Sequence, residues 1–189
     1  MGLKQFTGAP LSTPRAAFAL LGGIRGNKLT TVPWTKQEQT QWCWAAVMQM
    51  AFSHNNVSIT QCSLADLAFE CTGCCSAPSS SLCNMPLPIF QVEREWNRHT
   101  FDAQRTDSSV GFDSLKFEVD AGRPVEIGLK WDGGGGHAVL VIGWEYVNDQ
   151  PHVHVCDPWR GELFVTFDGL KAAYGEGRWN WSWTGIKKR

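Results

Sequence analysis

The 189-residue sequence predicts a single α+β domain, with helices in the first half of the chain and β-strands in the second. Two observations support this class. Apolar residues recur with a helical period as far as Gly122, and apolar or β-branched runs bounded by Gly, Pro, Asn and Asp follow it. Helices first and strands second is an α+β pattern. We place a flexible leader or pro-segment at residues 1–30 and the folded domain at 31–189.

Local signals mark where the helices begin and end. Ser63, with Asp66 three residues later, resembles a capping box, Pro88 suits a first helical turn, and Gly122 suits a helix end. The predicted helices are Trp44 to Phe52, Ser63 to Glu70, Pro88 to Asn97 and Phe112 to Ala121.

The second half is rich in short strand-like runs about a dozen residues apart, which suits an antiparallel sheet. The predicted strands are Val125 to Leu129, Ala138 to Trp144, Val153 to Cys156, Leu163 to Phe167 and Trp179 to Thr184. A short helix is expected from Asp168 to Tyr174, before the last strand.

Charge and hydropathy exclude several classes of function. Lys and Arg number 17 and Asp and Glu 18, so the net charge is -1 and no basic surface for nucleic acid or anionic lipid is predicted. No apolar run approaches the roughly 20 residues that span a bilayer. The N-terminus lacks a signal-peptide pattern, which leaves the compartment open, because a specialised secretion route would not need one. We expect a monomer.

The cysteine count is seven, which is odd, so a disulfide framework would leave at least one thiol unpaired. Cys71, Cys74, Cys75 and Cys83 form a cluster for which two interpretations remain open. One is a disulfide-stapled segment or buried thiols, and the other is a zinc knuckle built on Cys71-x-x-Cys74 with Cys75 or Cys83. The second short ligand pair of a zinc site is missing, so disulfides are favoured and no metal or cofactor is expected.

Cys43 is the candidate nucleophile, because it lies in the first turn of a predicted helix. The positive end of the helix dipole favours a thiolate there, although a buried, inert cysteine is the alternative. Gln37 lies six residues upstream, and its side-chain amide could donate to an oxyanion together with the Cys43 backbone N–H. Gln39 and Gln41 compete for this role.

His137 and Asp157 complete the candidate constellation. His137 follows four glycines and opens the most apolar strand, and Asp157 ends the next strand. Neighbouring antiparallel strands could bring the carboxylate beside the imidazole, whose other nitrogen would face Cys43. A buried structural histidine and an aspartate that begins a turn are the alternatives.

Three motifs resemble those of the papain-like cysteine peptidases. They are Gln37-x5-Cys43-Trp44-Ala45-Ala46, Gly136-His137-Ala138-Val139 and Asp157-Pro158-Trp159. More narrowly, the motifs are similar to those of the bacterial branch that includes secreted effector proteases and the double-glycine peptidases of bacteriocin exporters. It implies a papain-like fold, with the nucleophile helix of the N-terminal half packed on an antiparallel sheet in the C-terminal half. It also implies that Gln37 belongs to the oxyanion hole and that Trp159 covers the His137–Asp157 hydrogen bond.

The implied function is hydrolysis of peptide bonds in a protein or peptide substrate, through a thioester on Cys43. The residues expected to line the substrate cleft are Trp42, Trp131, Gly135, Gly136 and Trp159. A glutamine deamidase or transglutaminase on the same fold, or a non-catalytic binding module, is the alternative. With Cys43 as the unpaired thiol, six cysteines remain for pairing, of which Cys156 is the one most suited to stay free. Related peptidases cut after paired glycines, so Gly22-Gly23 is either a self-cleavage site or an ordinary linker.

Overall fold

The computed structural model describes residues 25–189, so most of the expected leader, including Gly22-Gly23, lies outside the described residues. The helices are α1 (Cys43–His54), α2 (Gln61–Ala68), α3 (Ile89–Arg98), α4 (Phe112–Asp120) and α5 (Phe167–Lys171), with a 3-10 turn at Ala173–Gly175. The strands are β1 (Gly26–Lys28), β2 (Phe101–Thr106), β3 (Val125–Trp131), β4 (Gly136–Val147), β5 (Gln150–Asp157), β6 (Gly161–Thr166) and β7 (Gly177–Lys188).

The strands form one seven-stranded sheet in the order β2-β7-β3-β4-β5-β6, and β1 pairs with β4. Every pairing is antiparallel. Along the sequence, most of the helices come before most of the strands, so the predicted α+β class is confirmed. The register sets Leu129 opposite His137 and Leu140 opposite Cys156, and it thereby aligns the start of β4 with the end of β5.

Helix α1 is the centre of the core. Its side chains from Trp44 to Met48 are all buried, because β4 packs against one side of the helix and α2 against another. Alanines at 45, 46 and 51 let neighbouring elements approach closely, while Trp44, Met48 and Phe52 fill the larger spaces. The rigid setting of α1 fixes the position of Cys43, its first residue.

The structure differs from the sequence prediction in several elements. Strands β1 and β2 were not predicted, and β1 lies within the segment 1–30 that we expected to be a leader. Helix α2 begins at Gln61 with Thr60 as its cap, because the Ser63 N–H donates to the Thr60 hydroxyl at 3.2 Å. The predicted cap at Ser63 is therefore wrong. Phe167 opens α5 instead of ending β6.

The cysteine-rich segment contains two disulfides, Cys62–Cys75 and Cys74–Cys83. Cys43, Cys71 and Cys156 are free thiols. Cys156 is free, as expected, but the six cysteines other than Cys43 do not all pair. The Cys71 sulfur lies 3.4 Å from that of Cys74, which is already bonded to Cys83. In the described part of the chain, no helix is both long and apolar enough to cross a membrane.

Candidate active site

Cys43 is the first residue of α1, and its thiol is partly exposed. The first N–H groups of a helix have no intrahelical acceptor, and no side chain caps this helix terminus. The positive end of the helix dipole therefore points at the place where a sulfur anion, or a negative charge on a bound carbonyl oxygen, would lie.

His137 and Asp157 are in direct contact across the β4–β5 ladder. His137 Nε2 lies 2.7 Å from Asp157 Oδ1, and both side chains are buried. Burial by itself would lower the pKa of His137, but hydrogen bonds to Asp157 and Cys43 outweigh it and raise that pKa to about 9. His137 is thus protonated at neutral pH. Because Nε2 is engaged by Asp157, Nδ1 is the nitrogen left for Cys43.

Asp157 is fixed in position by the backbone that follows it. Its Oδ1 also accepts the N–H groups of Trp159 at 2.8 Å and Arg160 at 3.1 Å. Burial opposes ionisation, yet the hydrogen bond and positive charge of His137 and these two N–H groups hold the pKa of Asp157 below its usual range. The phenol of Tyr174 lies nearby, and burial and the negative charge of Asp157 raise its pKa.

Gln37 is buried beside the same centre, but its amide is already engaged. Nε2 donates to the backbone carbonyls of Gln39 at 2.8 Å and Thr40 at 3.1 Å. An amide nitrogen carries two hydrogens, so Gln37 can donate to a bound oxyanion only if one of these bonds is exchanged. The Gln37 backbone N–H also donates to the Pro158 carbonyl at 3.1 Å, and so links this loop to the end of β5.

The segment from Cys83 to Met85 holds the residues on both sides of Cys43. The Trp42 indole donates to the Cys83 carbonyl at 2.7 Å, and the Trp44 indole donates to the Met85 carbonyl at 3.2 Å. Trp42 is fully buried and is not among the residues that line the cavity beside Cys43. The expectation that Trp42 lines the cleft is therefore wrong.

A cavity of about 600 Å³ opens beside Cys43 and His137. The other predicted cleft residues, Trp131, Gly135, Gly136 and Trp159, all line it. The ring stacked on His137 is that of Trp131, with 5.9 Å between centroids and 21° between planes. Trp159 is 60% exposed at the edge of the cavity.

Other residues that line the cavity were not singled out from the sequence. The ionisable ones are Glu126, Arg160 and Glu176, and Trp181 and Leu87 are among the apolar ones. Only Glu126 carried a sequence signal, because it is a charged residue inside an apolar predicted strand. The remaining residues come from separate elements, and no local pattern groups them.

One cysteine group has the geometry of a metal site within residues 25–189. The ligand atoms of Cys71, Cys74 and Cys83 lie within 4.8 Å of one another. Two of these sulfurs form the Cys74–Cys83 disulfide, which removes them as thiolate ligands. The oxidised structure therefore does not fit a zinc knuckle.

Comparison with known proteins agrees with the geometry. A sequence model described as the Peptidase_C39-like family matches residues 29–184. No curated protein matches the chain. The fold is similar to that of the peptidase domain of Streptococcus ComA, a bifunctional ABC transporter involved in quorum sensing. That match has a TM-score of 0.59 and 10% identity over 84% of this chain and 99% of the other.

Two further solved structures share the fold. A double-glycine-motif protease from an AMS/PCAT transporter, solved with its leader peptide, gives a TM-score of 0.57 at 12% identity over 87% of this chain and 96% of that one. Procathepsin B from Trypanosoma congolense gives 0.55 at 14% identity over 87% and 78%. The chain therefore belongs to the Peptidase_C39-like family and has the fold of the papain-like cysteine peptidases.

Proposed function

We propose that the chain hydrolyses peptide bonds, with Cys43 as nucleophile, His137 as acid and base, and Asp157 as the group that orients His137. The contact of 2.7 Å between His137 Nε2 and Asp157 Oδ1 carries the proposal, because it leaves Nδ1 for Cys43 at the helix terminus. Family membership and the papain-like fold support it.

The proposed reaction proceeds in two steps. The Cys43 thiolate attacks the substrate carbonyl carbon, and the carbonyl oxygen becomes an anion held by the Cys43 N–H and, after exchange of one hydrogen bond, by Gln37 Nε2. His137 gives its proton to the leaving amine, and a thioester remains. Neutral His137 then takes a proton from water, the hydroxide adds to the thioester, and Cys43 leaves as the thiolate.

Asp157 has a positioning role in this scheme. It accepts the Nε2 proton, which fixes the ring orientation, and its charge stabilises the imidazolium. Trp131 covers one face of the same ring, so a substrate must approach from the side of Cys43 and the cavity.

Cleavage of a peptide library in H₂¹⁸O tests the proposal. We expect wild type to release products that carry one ¹⁸O in the new carboxylate, and Cys43→Ala to release none. Cys71→Ser is the matched control, because its thiol lies in the disulfide segment outside the cavity lining, and it should cleave as wild type does. Amide products formed with added amines would favour the transferase alternative. Products formed by Cys43→Ala would contradict the assignment.

We propose in addition that the part of the expected leader up to Gly23 acts as a pro-segment that is removed by a cut after Gly22-Gly23. A cut there would keep β1, which pairs with β4 through Gly26 and Glu145, in the processed domain. The mass of purified protein tests this: processing in wild type but not in Cys43→Ala is expected. An intact N-terminus in both proteins, with wild type active, would make the glycine pair an ordinary linker.

A further inference from the structure

Glu126 is a buried carboxyl group that the proposed mechanism does not use. It lines the cavity that contains Cys43 and His137, although its own side chain is almost wholly enclosed. Oε2 accepts the Trp96 indole N–H at 3.2 Å, whereas Oε1 has no hydrogen-bond partner among the described residues. Buried carboxyl oxygens are normally hydrogen-bonded, so the free oxygen points to a ligand group that the site is built to receive.

The sheet register fixes the distance of Glu126 from the catalytic centre. Glu126 pairs with Leu140 and Leu129 pairs with His137, so three residues separate the two positions along the ladder. At the rise of a β-strand, this is about 10 Å. A lysine or arginine side chain of a substrate bound at Cys43 could bridge this separation together with the side chain of Glu126, whereas a short side chain could not.

A glycine shapes the route from His137 to Glu126. Gly128 lies on the same face of the sheet as Glu126 and pairs with Ala138, the residue after His137, and a Cβ atom at Gly128 would come 1.8 Å from the Trp181 ring. The missing side chain gives Trp181 room to form part of the wall. Further apolar residues of the cavity wall are Leu87, Ile89, Val92, Leu129 and Ala138. Such walls suit the aliphatic part of a long side chain.

Within residues 25–189, no Lys, Arg or His forms an ion pair with Glu126. The groups that face it are Trp96 of α3, Leu140 of β4 and Trp183 of β7, and none of them titrates. Arg160 lines the same cavity but pairs with both oxygens of Glu176, at 2.9 and 2.7 Å. Burial raises the pKa of Glu126 to about 8, against the opposing effect of the Trp96 N–H. An incoming cation would stabilise the ionised form of Glu126 against this effect, so its binding would release the Glu126 proton.

We propose that Glu126 is the specificity-determining residue of a substrate subsite that takes a lysine or arginine side chain. This inference rests on the proposed peptidase function, since the side chain belongs to the peptide bound at Cys43. A guanidinium or ammonium group supplies the donor that Oε1 lacks, and ionic hydrogen bonds are the strong ones. A neutral side chain in the subsite leaves the carboxyl unpaired.

A positional-scanning library of fluorogenic tetrapeptides tests the subsite. One position upstream of the cleaved bond should prefer Arg and Lys. The proposed cut after Gly22-Gly23 follows Leu20 and Leu21 and would have to proceed without this preference. At the preferred position, kcat/KM for Arg should exceed that for citrulline, its neutral isostere, roughly 10- to 100-fold. Glu126→Gln should abolish this ratio and retain turnover of the citrulline peptide. Glu162→Gln, a matched loss of one exposed carboxylate on β6, should keep the ratio.

The pH dependence gives a readout that a purely structural glutamate would not show. The Arg-to-citrulline ratio should rise as the pH passes through about 8, where Glu126 loses its proton, and level off above that pH. Ionisation of His137 affects both peptides equally and cancels in the ratio. If Glu126→Gln fails to fold, the wild-type ratio still decides: a ratio near one at every pH would overturn the subsite.

Binding to Cys43→Ala separates this inference from the proposed function. In one outcome, wild type cleaves no peptide, but Cys43→Ala binds the Arg peptide more tightly than the citrulline peptide, and adding Glu126→Gln removes that difference. The subsite then stands and the peptidase proposal fails. If peptides are cleaved and bound without any preference for a basic residue, the peptidase proposal stands and Glu126 has only a structural role.

Discussion

The carbonyl oxygen of Cys83 accepts the indole N–H of Trp42 at 2.7 Å, and this bond connects the Cys74–Cys83 disulfide to the residue directly before Cys43. The Asn84 side chain adds to the connection, because its Oδ1 accepts the Gln41 N–H at 2.9 Å. The cysteine-rich segment therefore holds the loop that leads to the candidate nucleophile. Its disulfides should affect catalysis as well as stability.

Removal of this disulfide in Cys74→Ser/Cys83→Ser should lower both stability and kcat. The bond spans a separation of 9 residues. Its loss should lower the free energy of unfolding by about 2–3 kcal/mol on the chain-entropy estimate. Urea unfolding and peptide hydrolysis measure the two effects. Cys62→Ser/Cys75→Ser is the control, because its bond spans 13 residues but does not include Cys83. It should lose similar stability and keep kcat, and an equal loss of kcat in both variants would contradict the connection.

Asp157→Asn should move the alkaline limb of the pH profile to lower pH. In wild type the pKa of His137 is raised to about 9, so the imidazolium, and with it kcat/KM, should be lost as the pH rises through that value. Without the negative charge of Asp157, His137 should lose its proton at lower pH. The measurement is kcat/KM from pH 5 to 10 on an uncharged peptide. An unchanged limb would show that Asp157 does not stabilise the imidazolium.

Gln37→Glu should lower kcat by about 10²- to 10³-fold, the usual effect of losing one oxyanion donor. Glutamate keeps the size of the side chain but cannot donate from the position of Nε2. The Nε2 bonds to Gln39 and Thr40 are lost as well, so thermal unfolding must be measured beside kcat. A stability loss without any change in kcat would assign Gln37 to loop structure alone.

Glu126→Gln should make stability less dependent on pH. The pKa of Glu126 is raised from 4.5 to about 8, so the folded chain keeps a proton that the unfolded chain releases between these values. The free energy of unfolding therefore falls as the pH rises, by up to about 1.4 kcal/mol per pH unit. His137 contributes in the same direction in both proteins, so the difference between them isolates Glu126. Urea unfolding at pH 5 and pH 8 measures it, and parallel pH dependences would mean that folded Glu126 is ionised.

The candidate site could be predicted from the sequence because its residues adjoin helices and strands with strong local signals. Cys43 begins a helix of good helix formers, and His137 and Asp157 adjoin two consecutive apolar strands, so their order and spacing were sufficient to group them. The strands β3 to β7 were found for the same reason. Strand β2 was missed because it is an edge strand whose second half is polar and exposed, so it lacks a regular apolar alternation.

The features that sequence reasoning missed depend on contacts between distant residues. The Trp42 indole donates to a carbonyl 41 positions away, and no local pattern reveals that partner. Glu126 lies inside a run that was correctly predicted as a strand. That its Oε1 is buried without a hydrogen-bond partner depends on how α3 and β7 pack around it, which the sequence does not reveal. The hydrogen bonds that occupy the Gln37 amide depend on the turn from Gln39 to Thr40.

The pH dependence of alkylation by iodoacetamide, mapped residue by residue, tests the central assignment most directly. At pH 6, Cys43 should be labelled first, with loss of activity in proportion to its labelling. Burial raises the pKa of Cys156 to about 12 and also raises that of Cys71, so both thiols should remain unlabelled. His137→Ala should suppress the labelling of Cys43 at this pH. Labelling of Cys71 or Cys156 before Cys43, or a Cys43 rate that His137→Ala leaves unchanged, would contradict the assignment of Cys43, His137 and Asp157 as the catalytic group.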